Sequence, residues 1–402
     1  MPDFAVTPRP SPTLTSGLRD PGTTTSQRVK ADVADEIYMY MPSAAPMSVL
    51  TTKVRKERTA TQYQYDWLTK DQFPSQVVLA AASLAAATTV TVLAGTGGRL
   101  AANWTLLNLR TRETVLVTSM ASADVANVVR AIGSTAQDMN AGDTLLFVRP
   151  VYEDGTNAGT IKGIREDREF NFTEIIKWEL GWSGRQENTD MYGGKDPMTE
   201  RKWAGVEFAK LVEKMLFFGT RHTRTGTNGR LQTFSGGLEF FIQSNVWDVN
   251  GITVSERAFV EYLEEAMRWG KGGYQEGVGV KYLFASSRWL TEIEFWAKDK
   301  LTYVNLKDAE GRELGLEALS YKSTHGRVML IKAPILDESH PDYAFLVDLN
   351  HFRKVNHQGR APKLYEDIGA NDLDGSQEEY MGDIGAQVEL EGAHGLLKGL
   401  PS

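Results

Sequence analysis

Cysteine is absent from the 402-residue chain, which removes disulfides, thiolate zinc sites and cysteine nucleophiles together. A basic balance is absent too. The 44 Lys and Arg residues stand against 52 Asp and Glu, a formal net charge of -8. Proteins whose main task is gripping nucleic acid carry a basic stripe that neutralises phosphates, so that class is set aside. No secretory signal is expected in "MPDFAVTPRPSPTLTSGLRDPGTTTSQRVK", where no positive start leads into an apolar core. Without secretion, the sequons at Asn103 and Asn171 carry no weight.

Long apolar runs are also scarce. Only "QVVLAAASLAAATTVTVLAGTGG", Gln76 to Gly98, approaches the about 20 residues that a spanning helix needs. Its apolar residues are chiefly alanine, Thr88, Thr89 and Thr91 interrupt it, and no aromatic or Lys/Arg belt flanks it. From Thr89 the pattern is Thr-Val-Thr-Val, a period of two that belongs to a strand. No membrane partner is expected.

Catalytic signatures are missing as well. "YGGKD" and "WGKGG" lack the upstream glycine and the following Ser/Thr of a phosphate-binding loop. "GWSGR" approaches a nucleophile elbow and fails. The six histidines (His222, His325, His340, His351, His357, His394) contain no His-x-x-x-His pair, so no metal is assigned. Asp337-Glu338 and "YEDIGANDLDGSQEEY" are acidic, but their spacing misses a calcium loop, and solvated loops are expected. Trp178 and Trp182 stand at i,i+4 and Trp289 and Trp296 at i,i+7, which suits core packing better than sugar binding. No catalytic, cofactor-binding or metal-binding residue is assigned, and no cofactor is expected.

What is present is a globular composition, 41% hydrophobic and 24% charged, over a length suited to two or three domains. The first thirty residues, rich in Pro, Ser, Thr and Gly, cannot fold alone. They read either as a disordered tail or as an arm that orders against a neighbouring subunit. A short helix-like segment follows from Asp35, which Pro42 and Pro46 are expected to break, and Lys53 to Trp67 suits an exposed hairpin arm. Five apolar runs then recur between turn signals: Thr89–Leu93, Trp104–Leu109, Thr114–Thr118, Asn127–Ile132 and Thr144–Val148. They suggest a small β-barrel or sandwich inserted into that hairpin.

Helix is expected from Phe172 through "TEIIKWELGWSGRQE", and again in "DPMTERKWAGVEFAKLVEKMLFFGTR". In the second, Asp196-Pro197 is a start signal and Gly219 a stop. Phe208, Leu211, Val212, Met215, Leu216 and Phe218 share the apolar face, opposite Glu207, Lys210, Glu213 and Lys214. A further helix is expected after the capping box Thr253-Val-Ser-Glu256, burying Phe259, Leu263, Ala266 and Met267 and ending at Gly270. "GVKYLFAS", "RVMLIKAPIL", "YAFLVDLNHF" and "GDIGAQVELEGAHGLLKGL" each supply a strand, and "SRWLTEIEFWAK" a helix. Strands and helices mix without strict alternation, so the class is α+β.

The order of parts resembles the major capsid proteins of tailed bacteriophages, with their HK97-like fold. The specific match is "REFNFTEIIKWELGWSGRQENTDMYGGKDPMTERKWAGVEFAKLVEKMLFFG", which is similar to the segment leading into that fold's spine helix. The turn reads Ser183-Gly184-Arg185, a small departure from the family's Ser-Gly-Thr. "RLQTFSGGLEFFI" resembles the family's following Gly-Gly-Leu segment, and "VELEGAHGLLKGL" its Ala-His-Gly ending. The similarity covers about residues 160 to 400.

The resemblance implies a division of the chain. Residues 1–30 would be a flexible N-terminal arm, 31–75 and 149–160 an extended loop, and 76–148 a β domain inserted in it. Residues 161–229 would form the peripheral domain with the spine helix, 230–345 the axial domain, and 346–402 a return to the peripheral domain. It further implies a non-enzymatic protein that assembles with itself, as hexamers and pentamers, into an icosahedral head around double-stranded DNA. Portal, scaffold and decoration proteins would be further partners, DNA would be touched weakly, and assembly would take place in the host cytoplasm to give a virion. Another phage structural protein or an encapsulin-like shell is the alternative, and a carbohydrate-active enzyme a remote one.

Overall fold

The computed structural model describes residues 45–53, 57–70, 75–155, 166–189, 196–269, 279–298, 301–307, 313–370 and 373–401. The chain forms two compact units, Asp66–Phe170 and Met1–Tyr65 with Asn171–Ser402.

In the unit Asp66–Phe170, six strands form one sheet in the order Gln76–Val78, Thr144–Pro150, Trp104–Asn108, Thr114–Ser122, Val125–Val129 and Thr89–Thr91. A bridge between Leu79 and Val92 joins the first strand to the last, so the sheet closes on itself. Closure leaves no free edge for another strand to pair with. Alternate residues point inward, and Val77, Leu79, Val90, Val92, Leu106, Val115 and Val117 fill the interior. The five apolar runs read from the sequence are five of these strands, and the Gln76–Gly98 stretch supplies the two that meet at the closure. Gly97 is required there by a close approach, because a Cβ would run into the Ala123 carbonyl oxygen.

The second unit holds a seven-stranded sheet with the order Val246–Asp248, Gly395–Lys398, Ala344–Val347, Val280–Ala285, Arg327–Lys332, Glu313–Lys322 and Leu301–Lys307. Its central strands read as continuous apolar runs because both faces are covered. Leu283, Leu330, Leu346 and Leu397 face the helices Glu256–Ala266 and Ser287–Ala297. Phe284, Ile331, Phe345 and Leu396 join the core of the long helix Asp196–Phe218, here called the spine helix. A one-residue slip in any of these strands would exchange the two sets.

A second sheet in the same unit runs Arg58–Ala60, Phe352–His357, Gly375–Val388 and Glu174–Ser183, with Lys363–Tyr365 also paired to Gly375–Val388. Residues 346–402 therefore serve both sheets, since Phe352–His357 and Gly375–Val388 lie in this one and Gly395–Lys398 in the other.

Three local expectations are corrected. Glu174–Ser183 is a strand, not a helix, with all ten residues in register with Gly375–Ile384. Ile176, Trp178, Leu180 and Trp182 alternate toward the core side, and an i,i+4 tryptophan pair fits that period of two as well as it fits a helix. Pro46 begins the helix Pro46–Lys53 instead of breaking one, as its fixed φ and missing N–H allow at a first position. The cap of Glu256–Ala266 is Ser255, whose hydroxyl accepts from the Ala258 amide, and not Thr253. The hairpin Leu301–Lys307 with Glu313–Lys322 had no sequence signal strong enough to mark it. Gly270 and the segment before Ala45 lie outside the described residues.

Candidate functional site

The residues that could have carried chemistry are employed in holding the fold. Ser183 of the elbow-like "GWSGR" caps the short helix Gly184–Glu187, accepting from the Gln186 amide at 3.3 Å. Asp337 caps a helix start by accepting from the Ser287 amide at 2.5 Å and its hydroxyl at 2.6 Å. In the acidic stretch, Glu378 is paired with Arg201, and Glu379 with Lys177 at 2.8 Å. Among the described residues, no group of three or more His, Asp or Glu side chains is arranged to hold a metal. "YGGKD" up to Lys195 and "GKGG" after Trp269 lie outside the described residues.

The tryptophans pack in cores. Trp289 is fully buried, with its indole N–H donating to the Asp342 carbonyl at 2.6 Å, and Trp296 packs on Phe259 and Tyr321. Trp182 is buried and Trp178 leans on the spine-helix core. No described helix is long and apolar enough to cross a membrane.

Two buried polar clusters organise the unit instead. The first centres on Asn171, which in the sequence stands both in a sequon and in the "REFNFT" run of the family resemblance. Its amide nitrogen donates to the carbonyls of Gly236 at 2.9 Å and Ala386 at 2.7 Å, and to the Ser235 hydroxyl at 3.3 Å. Its carbonyl accepts from the amides of Gly236 and Phe172, both at 2.9 Å. The Tyr65 hydroxyl also donates to the Ala386 carbonyl, at 2.7 Å. Asn171 thereby ties the strand Asp167–Phe172 to the long strand Gly375–Val388 and to the turn after the spine helix. That turn needs glycine. The Gly237 amide donates to the Gly219 carbonyl at 2.7 Å, an approach too close for side chains at either position. "FSGGL" and "FNFT" are therefore two halves of one contact, which their sequence separation hides.

The second cluster explains the Ala393-His394-Gly395 ending. His394 is fully buried; its Nδ1 accepts from the Asp348 amide at 3.3 Å, and Nε2 faces the Glu389 carbonyl at 3.2 Å. Burial and the nearby Lys281 push this imidazole down to about 4, so it is neutral at physiological pH. Lys281, equally buried, donates to the carbonyls of Ala266 at 2.5 Å, Ala393 at 2.6 Å and Trp269 at 3.0 Å. Ala266 closes the helix Glu256–Ala266, and a cation is favoured at a helix C-terminus. Burial lowers the ammonium to about 8, opposed by Asp348. Gly395 is tight against the Tyr262 hydroxyl, so a Cβ is excluded there.

These clusters fix the local geometry of the fold. A family model described as SU10 major capsid protein matches residues 15–401. None of the curated proteins matches the sequence. Among solved structures, one titled as the capsid of a native GTA particle is 10% identical at a TM-score of 0.49, covering 96% of this chain and 100% of that one. A chain from Gordonia phage Cozz is 10% identical at 0.48, covering 95% and 93%, and one from Mycobacterium phage Bobi is 9% identical at 0.47, covering 94% and 97%. The family match spans nearly the whole chain, both units and both polar clusters included, and the chain belongs to the SU10 major capsid protein family.

Proposed function

We propose that this capsid protein assembles with itself into hexamers and pentamers that close an HK97-like icosahedral head around double-stranded DNA. The observation that carries the proposal is the family match over residues 15–401. The scaffold supports it: its buried polar groups are spent on rigidity, and its net charge of -8 suits a wall that does not adhere to packaged DNA. Heterologous contacts that close under rotation build rings, and rings tile a shell.

In this reading residues 1–30 are the N-terminal arm, 31–75 and 149–160 the extended loop, and 76–148 the inserted β domain. Residues 161–229 are the peripheral domain, 230–345 the axial domain, and 346–402 the return. Arms that overlap neighbours add modest contacts through multivalency. Portal, scaffold and decoration proteins are the partners such a shell would take, the host cytoplasm is where it would form, and no catalytic turnover accompanies it. Sedimentation velocity at rising concentration tests this, alone and with the scaffold gene co-expressed. Species at the masses of five and six subunits, followed by a shell, are expected. A monomer under every condition would refute it.

A further inference from the structure

The polar face of the spine helix contains one residue that is not on the surface. Glu213, in a helical position that sequence places with Glu207, Lys210 and Lys214, has no exposed area. It sits under the N-terminus of the helix Pro46–Lys53, whose own preceding residue, Ala45, has no side chain to cap it. The first amides of a helix need an acceptor from outside, and a residue without a polar side chain cannot supply one. Glu213 does so from 165 positions away: its Oε2 accepts from the Ser48 amide at 3.3 Å. Its Oε1 is buried without a hydrogen-bond partner.

Among the described residues, no cation reaches this carboxyl. On the spine helix Lys210 pairs with Glu207 at 2.8 Å, Arg201 with Glu378, and Lys214 is exposed. On the strand Phe352–His357, which also packs on Pro46–Lys53, Lys354 pairs with Glu57 at 3.0 Å and Arg353 with Glu389 at 3.5 Å. Lys177 on the neighbouring strand pairs with Glu379 at 2.8 Å, while Glu239 and Asp337 on adjoining helices bond Tyr343 and Ser287. A helix N-terminus favours a negative charge. Here the Ser48 amide at 3.3 Å, with the Met47 amide beside it, does not repay the removal of a carboxylate from water.

We propose that Glu213 is a proton-operated latch. In its neutral form it holds the helix Pro46–Lys53, which follows the N-terminal segment of the chain, on the spine helix. Ionised, it releases that helix. Burial as the dominant cause, against the amides of Ser48 and Met47, pushes the carboxyl up to about 8. Released, it would return to the ordinary carboxylate range. A group held neutral when docked and ionised when free weakens docking as pH rises between those two values, by as much as ten-fold per pH unit, and no further above the upper one.

The latch is separate from the assembly reading and is tested on unassembled full-length subunits. Hydrogen exchange of peptides covering Pro46–Lys53, corrected for intrinsic rate, is followed from pH 5 to pH 9 in the wild type and in Glu213→Gln. The wild type should lose protection by up to ten-fold per unit and level off near pH 8, while the variant stays flat. Peptides from the barrel unit serve as an internal reference. Should Glu213→Gln not fold, Glu213→Met, which also cannot ionise, replaces it. A flat wild-type profile, or the same decline in wild type and variant, would overturn the latch.

Discussion

Glu113 in the barrel unit and Glu213 on the spine helix are the same residue type, and both are almost completely buried, at 1% and 0% exposure. Their surroundings push them in opposite directions. Around Glu113, burial alone would raise the carboxyl, but hydrogen bonds from Arg130 and from the Gln137 and Ala131 amides outweigh it and hold it below the usual range. The Arg130 contacts are bidentate, each at 2.7 Å. Around Glu213 nothing outweighs burial, and the carboxyl is raised. Burial by itself does not decide whether an acid is a structural charge or a titrating group; the number and charge of its donors do. The barrel holds its buried Glu113 in a satisfied ion pair, whereas Glu213 on the spine helix keeps one carboxyl oxygen buried without a hydrogen-bond partner.

Breaking the satisfied member should cost most. Glu113→Ala leaves Arg130, whose side chain is 7% exposed, as an uncompensated buried cation. Loss of one partner of such a pair is expected to cost about 3–5 kcal/mol of barrel stability, readable by denaturant titration. Next is Asn171→Ala, which strands the amide and the carbonyl of Gly236, while the Ala386 carbonyl keeps the Tyr65 hydroxyl. Two buried groups left unpaired should lower stability by about 3 kcal/mol, and the loss should appear as faster exchange in Gly375–Val388 with the barrel unaffected.

A change of pH sharpens the contrast because the two acids respond with opposite signs. Glu113 and Asp143 both have lowered values; for Asp143 the main cause is its hydrogen bonds from Arg110. Their contribution is present above the unfolded carboxylate range and is lost as pH falls through their native values. Glu213 is raised, so its region gains stability as pH falls from about 8 toward the ordinary range. The slope there is at most about 1.4 kcal/mol per pH unit, and it should vanish in Glu213→Gln. Acid should therefore loosen the barrel and tighten the spine region, which limited proteolysis at pH 3.5 and pH 7 would separate. The smallest effect is expected from Ser183→Ala, which removes one cap from a four-residue helix, for about 0.5–1 kcal/mol by thermal melting.

The comparison also marks what the sequence could disclose. The barrel strands were legible because Thr-Val-Thr-Val and similar runs alternate between turn residues, and a local period is all that such strands need. The helices Glu256–Ala266 and Ser287–Ala297 were legible for the same reason at the helical period. Glu174–Ser183 was misread because Trp178 and Trp182 satisfy both periods, and its long partner, Gly375–Val388, which settles the matter, lies some 200 residues away in sequence. Glu213 was placed on the solvent side of the spine helix by its neighbours Glu207, Lys210 and Lys214. The helix Pro46–Lys53 docks on it, and no helical wheel contains that partner. The Asn171 cluster was hidden likewise, since Asn171, Ser235 and Ala386 meet only in the folded chain. The family resemblance was legible in "FNFT", "SGGL" and "GAHG", and these are places where backbone and side chains pack closely.

Electron microscopy of the purified protein at rising concentration, alone and co-expressed with a candidate scaffold protein, tests the capsid assignment most directly. Closed shells built from rings of five and six subunits are the expected result. Monomers under both conditions, or open filaments in which no ring closes, would contradict it.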